Sequence, residues 1–386
     1  MAALAALLLL AACGQGNKAV DDNEKETDGQ LSQGARLDYV PFKDSVDSKR
    51  WGLLSVTDGK MLLRDSFDRQ PSNVVGGIFY VQNSNGNYEY FTADEQPKKI
   101  GGEYKKAGLF YEDIAPCMEK EASGIQFIRR DGSIAFVLDT LNGKKVEWVG
   151  RFHEGLAAVK AGELIGYINK EGKTVIAPRF LEAGNFSEGL AVVVDTADGN
   201  RQAYQSKQAY RISVIDQKGQ RMDYTFASTD SLGRCFSNGV LRHCYQSDDT
   251  TAVCEFINHN GQVQIPSKPT YKNVTSVGGT HYGFFNGTTW GVADNLGSTI
   301  LSPIYDEVVY VGQESVALCE YGLYKIKNYR GEQLSRSYEK MKHLEGSNSY
   351  LAKKGEQWYI VSNEGSVLGE GHHLIESVEP DEIFRR

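Results

Sequence analysis

The sequence predicts an all-β protein: tandem repeats of short antiparallel meanders, stacked either as a β-propeller-like ring or as an open superhelical hairpin array. Three observations lead there. The phrase aromatic-x-x-Gly-aliphatic recurs at Phe152-His-Glu-Gly-Leu156, Phe186-Ser-Glu-Gly-Leu190 and Phe236-Ser-Asn-Gly-Val240, each time before an apolar run. A second phrase, a Gly or Trp-Gly followed by a short strand and a Gly turn, recurs at Gly166-Tyr-Ile-Asn-Lys-Glu-Gly172 and Trp290-Gly-Val-Ala-Asp-Asn-Leu-Gly297. The 386 residues include 21 Tyr, 16 Phe and 41 Gly against 9 Pro, a composition suited to many short strands joined by tight turns.

Residues 1–12 are an almost pure Ala/Leu run, too short to span a bilayer, that turns polar after Cys13. This reads as a signal peptide, and Leu10-Ala-Ala-Cys13 resembles the lipobox of bacterial lipoproteins. That resemblance implies lipidation of Cys13 and residence in the cell envelope, at the outer membrane. No Lys or Arg precedes Cys13, so the natural start is expected further upstream. Residues 13–36 carry Asp21, Asp22, Glu24, Glu26 and Asp28 among Asn, Gln, Gly and Ser, and read as a disordered acidic tether that holds the folded part off the membrane.

From residue 37 to 386 the turn glycines act as a ruler. Gly132, Gly172, Gly219, Gly261, Gly297, Gly331 and Gly365 span 233 residues in six intervals, about 39 each. Asp58-Gly59 lies upstream, with room for one degenerate unit turning near Asp94 to Pro97, so about nine units of roughly 34–47 residues are expected. The longest interval holds the polar stretch Asp195 to Tyr210, read as a loop insertion. Within one unit, Leu156–Lys160, Glu163–Ile168 and Thr174–Ile176 form three strands, the last stopped by Pro178, which cannot donate to a ladder. Gly155, Gly189 and Gly239 fall where a left-handed backbone excludes a Cβ. Phe152, Phe186 and Phe236 then staple each turn to the neighbouring unit. A three-stranded meander cannot bury both faces alone, so it must stack.

The elements Phe186-Ser-Glu-Gly-Leu-Ala191, Gly166-Tyr167 onward, Ile176-Ala-Pro-Arg-Phe180 and Trp290-Gly291-Val-Ala-Asp294 resemble the WG repeat family of bacterial proteins. The likeness runs from about Tyr39 onward and is strongest between 150 and 192 and around Trp290. It implies repeats and an extracytoplasmic or interaction role, and it brings no catalytic residues with it.

Function is narrowed mainly by exclusion. A net charge of −8 and a pI near 5.5, with no local Lys/Arg run, argue against nucleic acid as a partner. No HExxH, GxSxG, Walker loop or GxGxxG is present, and no cofactor or metal is expected. The pair His372-His373 reads as part of a solvated loop. Glu154 and Glu188 occupy equivalent turn positions, and Asp306-Glu307 follows another repeated element; catalysis by a carboxylate pair needs two unlike environments, so both sets read as architectural. Asp195-Thr-Ala-Asp-Gly-Asn200 lacks the register of a calcium loop. Beyond Cys13 five cysteines remain, an odd number, with a disulfide open among Cys235, Cys244 and Cys254. Tyr282, Phe284 and Phe285 stand outside the repeated positions and form a speculative ligand surface, although core packing is the preferred reading of them. The expected role is therefore a non-enzymatic, membrane-anchored envelope protein whose repeats bind a protein partner. The alternatives are a cell-surface glycan binder and, third, a propeller-type hydrolase.

Overall fold

The computed structural model describes residues 36–196, 210–247, 252–266, 268, 270–377 and 383–386. The signal peptide, Cys13 and nearly all of the tether lie outside the described residues, as does most of the inserted stretch after Thr196.

Nine meanders run in chain order. Unit 1 holds Leu37–Lys43, Trp51–Ser55 and Met61–Phe67; unit 2, Val74–Val75, Ile78–Gln82, Tyr88–Thr92 and Lys99–Tyr104; unit 3, Lys106–Ala107, Ile114–Met118, Ile125–Arg129 and Ile134–Leu138. Unit 4 holds Thr140–Leu141, Lys144–Gly150, Leu156–Ala161, Leu164–Asn169 and Thr174–Phe180; unit 5, Glu182–Ala183, Leu190–Thr196, Tyr210–Asp216 and Arg221–Phe226; unit 6, Ser231–Leu232, Val240–Gln246, Ala252–Asn258 and Val263–Ile265. Units 7, 8 and 9 start at Asn273–Val274, Glu307–Val311 and Lys340–Leu344. All strand pairs are antiparallel, and units 1 and 2 share one continuous sheet. The degenerate second unit turns where the spacing places it: Thr92 N–H donates to the Lys98 carbonyl, and Asp94 caps the Gln96 N–H instead of a glycine.

The array closes on itself, so the ring is observed and not the open superhelix. In units 5 and 8 a single residue separates the first strand from the last strand of the preceding unit. Leu374–Ile375 stands in that relation to Val367–His372 of unit 9, but it pairs with unit 1, Phe42 opposite Ile375 and Lys43 opposite Leu374. The C-terminal side of the chain thus supplies the strand that unit 1 lacks. Leu344, Leu351 and Ile360 of unit 9 pack with Leu37, Val40 and Phe42 of unit 1, and the Ser349 hydroxyl donates to the Val56 carbonyl at 2.6 Å. His372, expected in a solvated loop, ends a strand instead: it is buried at this seam, 3.0 Å from Asp44 and edge-on to Phe42.

The glycine of the Trp-Gly phrase has a steric cause. In units 1, 4 and 7, two steps of the middle strand face four of the third: Trp51 pairs Phe67 and Leu53 pairs Leu63; Ile165 pairs Phe180 and Tyr167 pairs Ile176; Trp290 pairs Tyr305 and Val292 pairs Leu301. The bulged strand folds its backbone over the skipped residue, which is Gly52, Gly166 or Gly291. A Cβ there would collide with the carbonyl of Leu63, Ile176 or Leu301, and at Gly291 it would also lie 2.6 Å from the Phe284 ring. The core runs between units rather than inside them, as one cluster at each junction. Tyr282 and Phe284 belong to such a cluster at 1% and 3% exposure, which withdraws them as a ligand surface; the half-buried Phe285 packs on Trp290 at 5.3 Å.

Two expectations about special residues are also resolved. Cys244 and Cys254 form a disulfide between directly opposed positions of unit 6, with Cα atoms 4.1 Å apart. Asp195, expected at a loop tip, is buried in a strand and paired with Arg211 and Arg221. From the steric role of the bulge, Gly166→Ala is expected to lower unfolding stability by about 1–3 kcal/mol, the usual cost of overpacking, whereas Gly143→Ala, with open space at its Cβ, strains only the backbone. Urea denaturation of both variants checks the difference.

Candidate functional site

The recurrent aromatic-x-x-Gly turn is the place to begin, because it holds the acids that a catalytic reading would need. At His153–Leu156, Ser187–Leu190 and Ser237–Val240 the outer residues bridge each other, and both central residues have positive φ: Glu154 53° and Gly155 78°, Glu188 55° and Gly189 78°, Asn238 53° and Gly239 78°. This is the tight I′ hairpin turn, which suits the right-handed twist of its strands. Unit 3 builds the same turn from Tyr111-Glu-Asp-Ile114, with Asp113 at φ 72° in the glycine position.

Each turn aims its side chain at the next. The Glu112 carboxylate accepts the Gly155 N–H at 2.9 Å; Glu154 accepts the N–H groups of Glu188 and Gly189 at 2.7 and 2.9 Å; Glu188 accepts that of Gly239 at 3.1 Å. Asn238 continues the series with reversed polarity, its amide donating to the Val277 carbonyl at 2.9 Å. A second contact comes from the neighbouring unit's other turn: Lys170 reaches Glu112 at 3.8 Å, Gln217 reaches Glu154 at 3.3 Å and His259 reaches Glu188 at 2.7 Å. The carboxylates are thus engaged in equivalent structural contacts. Asp306 has the same kind of task, accepting the Gly322 N–H at 3.0 Å, and Glu339 repeats it with Gly355. The signature aromatics Phe152, Phe186, Phe236 and Tyr167 are all buried at the unit junctions, with Phe186 edge-on to Tyr167 at 4.9 Å.

One junction departs from the repeat. Units 5, 6 and 7 open with two-residue first strands and units 8 and 9 with five-residue ones, whereas unit 4 opens with the hairpin Thr140–Leu141 and the seven-residue strand Lys144–Gly150, which takes on an added strand. The far edge of this longer strand is covered by the C-terminal tail, with Trp148 opposite Arg385, Val149 opposite Phe384 and Gly150 opposite Ile383. Phe384 packs on the cluster of units 3 and 4 beside Gly108, where a Cβ would lie 3.2 Å from its ring, while Ile383 packs on the cluster of units 4 and 5. Lys106 Nζ donates to the Arg385 carbonyl at 3.1 Å, and the Arg386 guanidinium pairs with Asp139 at 2.8 Å.

Beside the tail lies a cavity of about 400 Å³ whose walls include Tyr80, Tyr88, Lys105, Tyr111, Arg151 and Phe384. Its described lining carries four cationic side chains, Lys105, Lys106, Arg151 and Arg385, and no carboxylate, in a chain whose net charge is −8. Arg151 is 9% exposed, its guanidinium 4.6 Å over the Tyr111 ring. Burial and the neighbouring Arg151 push His153 down to about 4. Among the described residues no cluster of His, Cys, Asp and Glu could hold a metal ion. Of the residues singled out in the sequence, only Phe152 touches this cavity. The signal for the rest was the apolar pair Ile383-Phe384, stranded beyond the last turn glycine.

Fold and junction together define a closed ring of β repeats with one edge that carries an added strand. Residues 165–195 and 290–318 match the sequence profile of the WG containing repeat. No curated protein matches the chain in sequence. Among solved structures, one described as the eukaryotic initiation factor superposes with a TM-score of 0.54 at 11% identity, covering 91% of this chain and 98% of the other. The structure of apo AztD from Citrobacter koseri covers 89% of this chain and 96% of the other, with 14% identity and a TM-score of 0.38. The first likeness supports the ring architecture and nothing about activity.

Acid stability should report two partly buried neutral imidazoles, His153 and His343. His343, stacked on Tyr310 at 3.7 Å and donating through Nε2 to the Ser347 carbonyl, is pushed down by burial to about 4, like His153. The folded pKa lies below the unfolded value near 6.5, so the unfolded chain binds more protons between these limits. Stability is complete above about pH 6.5 and falls as pH drops toward 4, by roughly 3 kcal/mol per histidine. Urea unfolding of the wild type and of His343→Gln across this range checks it: the variant is expected to start less stable and lose less.

Proposed function

We propose that this protein is a non-enzymatic, lipid-anchored envelope protein whose ring of WG-type repeats binds a protein partner, and that the binding element is the strand edge at Lys144–Gly150. The observation that carries the reading is the occupant already there. An extended peptide, the chain's own Ile383–Arg385, adds a strand by main-chain pairing and places alternate side chains in separate apolar clusters. That is how β-augmentation recognises peptides: backbone pairing supplies affinity and the alternating pockets supply selectivity. The engaged state of Glu154 and Glu188 favours a binding role over hydrolysis at those acids. Membrane attachment rests on the lipobox-like Leu10-Ala-Ala-Cys13.

A glycan ligand is the second reading. It draws on Tyr80, Tyr88 and Tyr111 in the cavity wall, flat rings of the kind that stack on sugars at low entropic cost.

Two measurements test these statements. Cys13→Ser should move the protein from the membrane pellet to the soluble fraction, and a variant that stays in the pellet removes the lipid anchor. The purified ring, screened in parallel against displayed peptides and a polysaccharide array, should enrich peptides that no longer bind when Val149 is replaced by Pro to break the edge ladder. Enrichment on the polysaccharide array alone would replace the protein partner by a glycan.

A further inference from the structure

We infer that the strand edge Lys144–Gly150 reads order in a partner's extended segment, an aliphatic residue followed directly by an aromatic one, and that the charge of the segment is secondary. This rests on the strand-edge reading above and adds the sequence that a partner must carry.

The strand already on the edge shows how order is read. Trp148 stands opposite Arg385, Val149 opposite Phe384 and Gly150 opposite Ile383. Two contacts to the main chain of the tail hold that register: the Arg386 N–H donates to the Glu147 carbonyl at 3.0 Å, and Lys106 Nζ donates to the Arg385 carbonyl at 3.1 Å. Successive side chains of a strand project to opposite faces, so a slip of one residue would exchange the two sides. Ile383 and Phe384 accordingly enter different clusters, the first at the junction of units 4 and 5 and the second at that of units 3 and 4.

The two sides differ in the space they offer. On the aliphatic side Ile383 packs on a cluster whose Trp148, Tyr167, Phe180 and Phe186 are all buried, and no buried member of that cluster lines the cavity beside the tail. On the aromatic side Ile114, Phe127 and Phe152 belong both to the cluster of Phe384 and to the wall of that cavity of about 400 Å³. The ring passes Gly108, where a Cβ would lie 3.2 Å from it. An aromatic side chain moved to the closed side would overpack it, and an aliphatic one moved to the open side would leave space unfilled. Charge adds little by comparison, because the Arg386 guanidinium pairs with an Asp139 carboxylate that is 48% exposed.

Three fluorescein-labelled peptides test this by anisotropy: Gly-Ser-Gly-Ile-Phe-Arg-Arg, the order-swapped Gly-Ser-Gly-Phe-Ile-Arg-Arg, and Gly-Ser-Gly-Ile-Phe-Gln-Gln. The first two share composition and charge and differ only in order. A tail tied to the same molecule competes at high effective concentration, so each peptide is titrated into full-length Phe384→Ala, in which the cis strand has lost its ring. The order-swapped peptide is expected to bind about tenfold more weakly than the first, as overpacking requires, and the Gln peptide to stay within about threefold of it. Equal binding of the two orders overturns the order rule while leaving the strand-edge reading in place. A loss of about tenfold or more in the Gln peptide overturns the secondary place of charge. No binding of any peptide to a Phe384→Ala protein with an unchanged melting curve, or binding that persists when Val149→Pro is added, overturns both readings. If Phe384→Ala fails to fold, Ile383→Ala, which leaves the ring in place and removes the aliphatic anchor, replaces it with the same expected ranking and the same overturning outcomes.

Discussion

Everything in this ring depends on a two-residue pairing, Phe42 with Ile375 and Lys43 with Leu374, between positions 333 and 331 residues apart. Closing a flexible loop of that length would cost roughly 5 kcal/mol in its length-dependent part, more than two ladder pairs return. The chain does not close as a flexible loop. Each junction between units buries its own cluster, so the intervening array folds by nearest-neighbour contacts and delivers its ends already close. What remains is the docking of unit 9 on unit 1, where Leu344, Leu351 and Ile360 meet Leu37, Val40 and Phe42 and the two-residue strand sets the register. The ring follows from local geometry and is sealed by a small long-range contact.

That geometry has an electrostatic part. The I′ turn holds Glu112, Glu154 and Glu188 in the left-handed region, uncommon for residues other than glycine, asparagine and aspartate. In return each carboxylate faces the backbone N–H groups of the next turn. The strain and the contact come from the same dihedral angles: a residue with φ near −60° at this position would send its side chain elsewhere. Where the series reaches Asn238, an amide does the same work by donating to a carbonyl. Successive turns therefore fix the angle between successive units.

Much of this was legible in the sequence, for a physical reason. Turn chemistry is local, so the glycines at 155, 189 and 239 and the turn ruler from 132 to 365 could be placed without tertiary information, and every one has positive φ. Even the degenerate second unit keeps its turn at Asp94. Illegible parts were those in which one residue stands in for another across the sheet. Unit 3 builds its turn with Asp113, so the aromatic-x-x-Gly phrase misses it. In unit 9 the position under the bulge is Tyr359, and the small residue has moved to the third strand as Gly371, whose Cβ would lie 2.6 Å from that ring. The demand for space over the bulge is unchanged, but no one-dimensional pattern records which strand meets it. Tyr282 and Phe284 looked exceptional only because the residues they pack against, such as Tyr271 at 4.3 Å from Phe284, belong to a loop with no repeat signature.

The departure from symmetry at unit 4 is the least local feature and the most informative one. Identical units make identical edges, and an edge strand left open invites pairing with other chains. Units 5 to 7 blunt that edge by keeping their first strand to two residues. Unit 4 instead lengthens it to seven, and a segment arriving from the far end of the sequence covers the edge beside a space lined by its Arg151 and by Lys105 and Lys106 at the start of unit 3. Units 8 and 9 open with five-residue strands that no further described strand covers, so the length of the edge alone does not call for a cover. The covering strand is held by three paired residues, by the packing of Ile383 and Phe384 on two separate clusters, by the Lys106 contact, and by Arg386, which donates to the Glu147 and Asp139 carbonyls and pairs with the Asp139 carboxylate. Backbone pairing sets the register of that strand and the two clusters bury its apolar side chains, whereas its partly exposed ion pair adds little, so the cover depends on the alternation of Ile383 and Phe384 more than on charge.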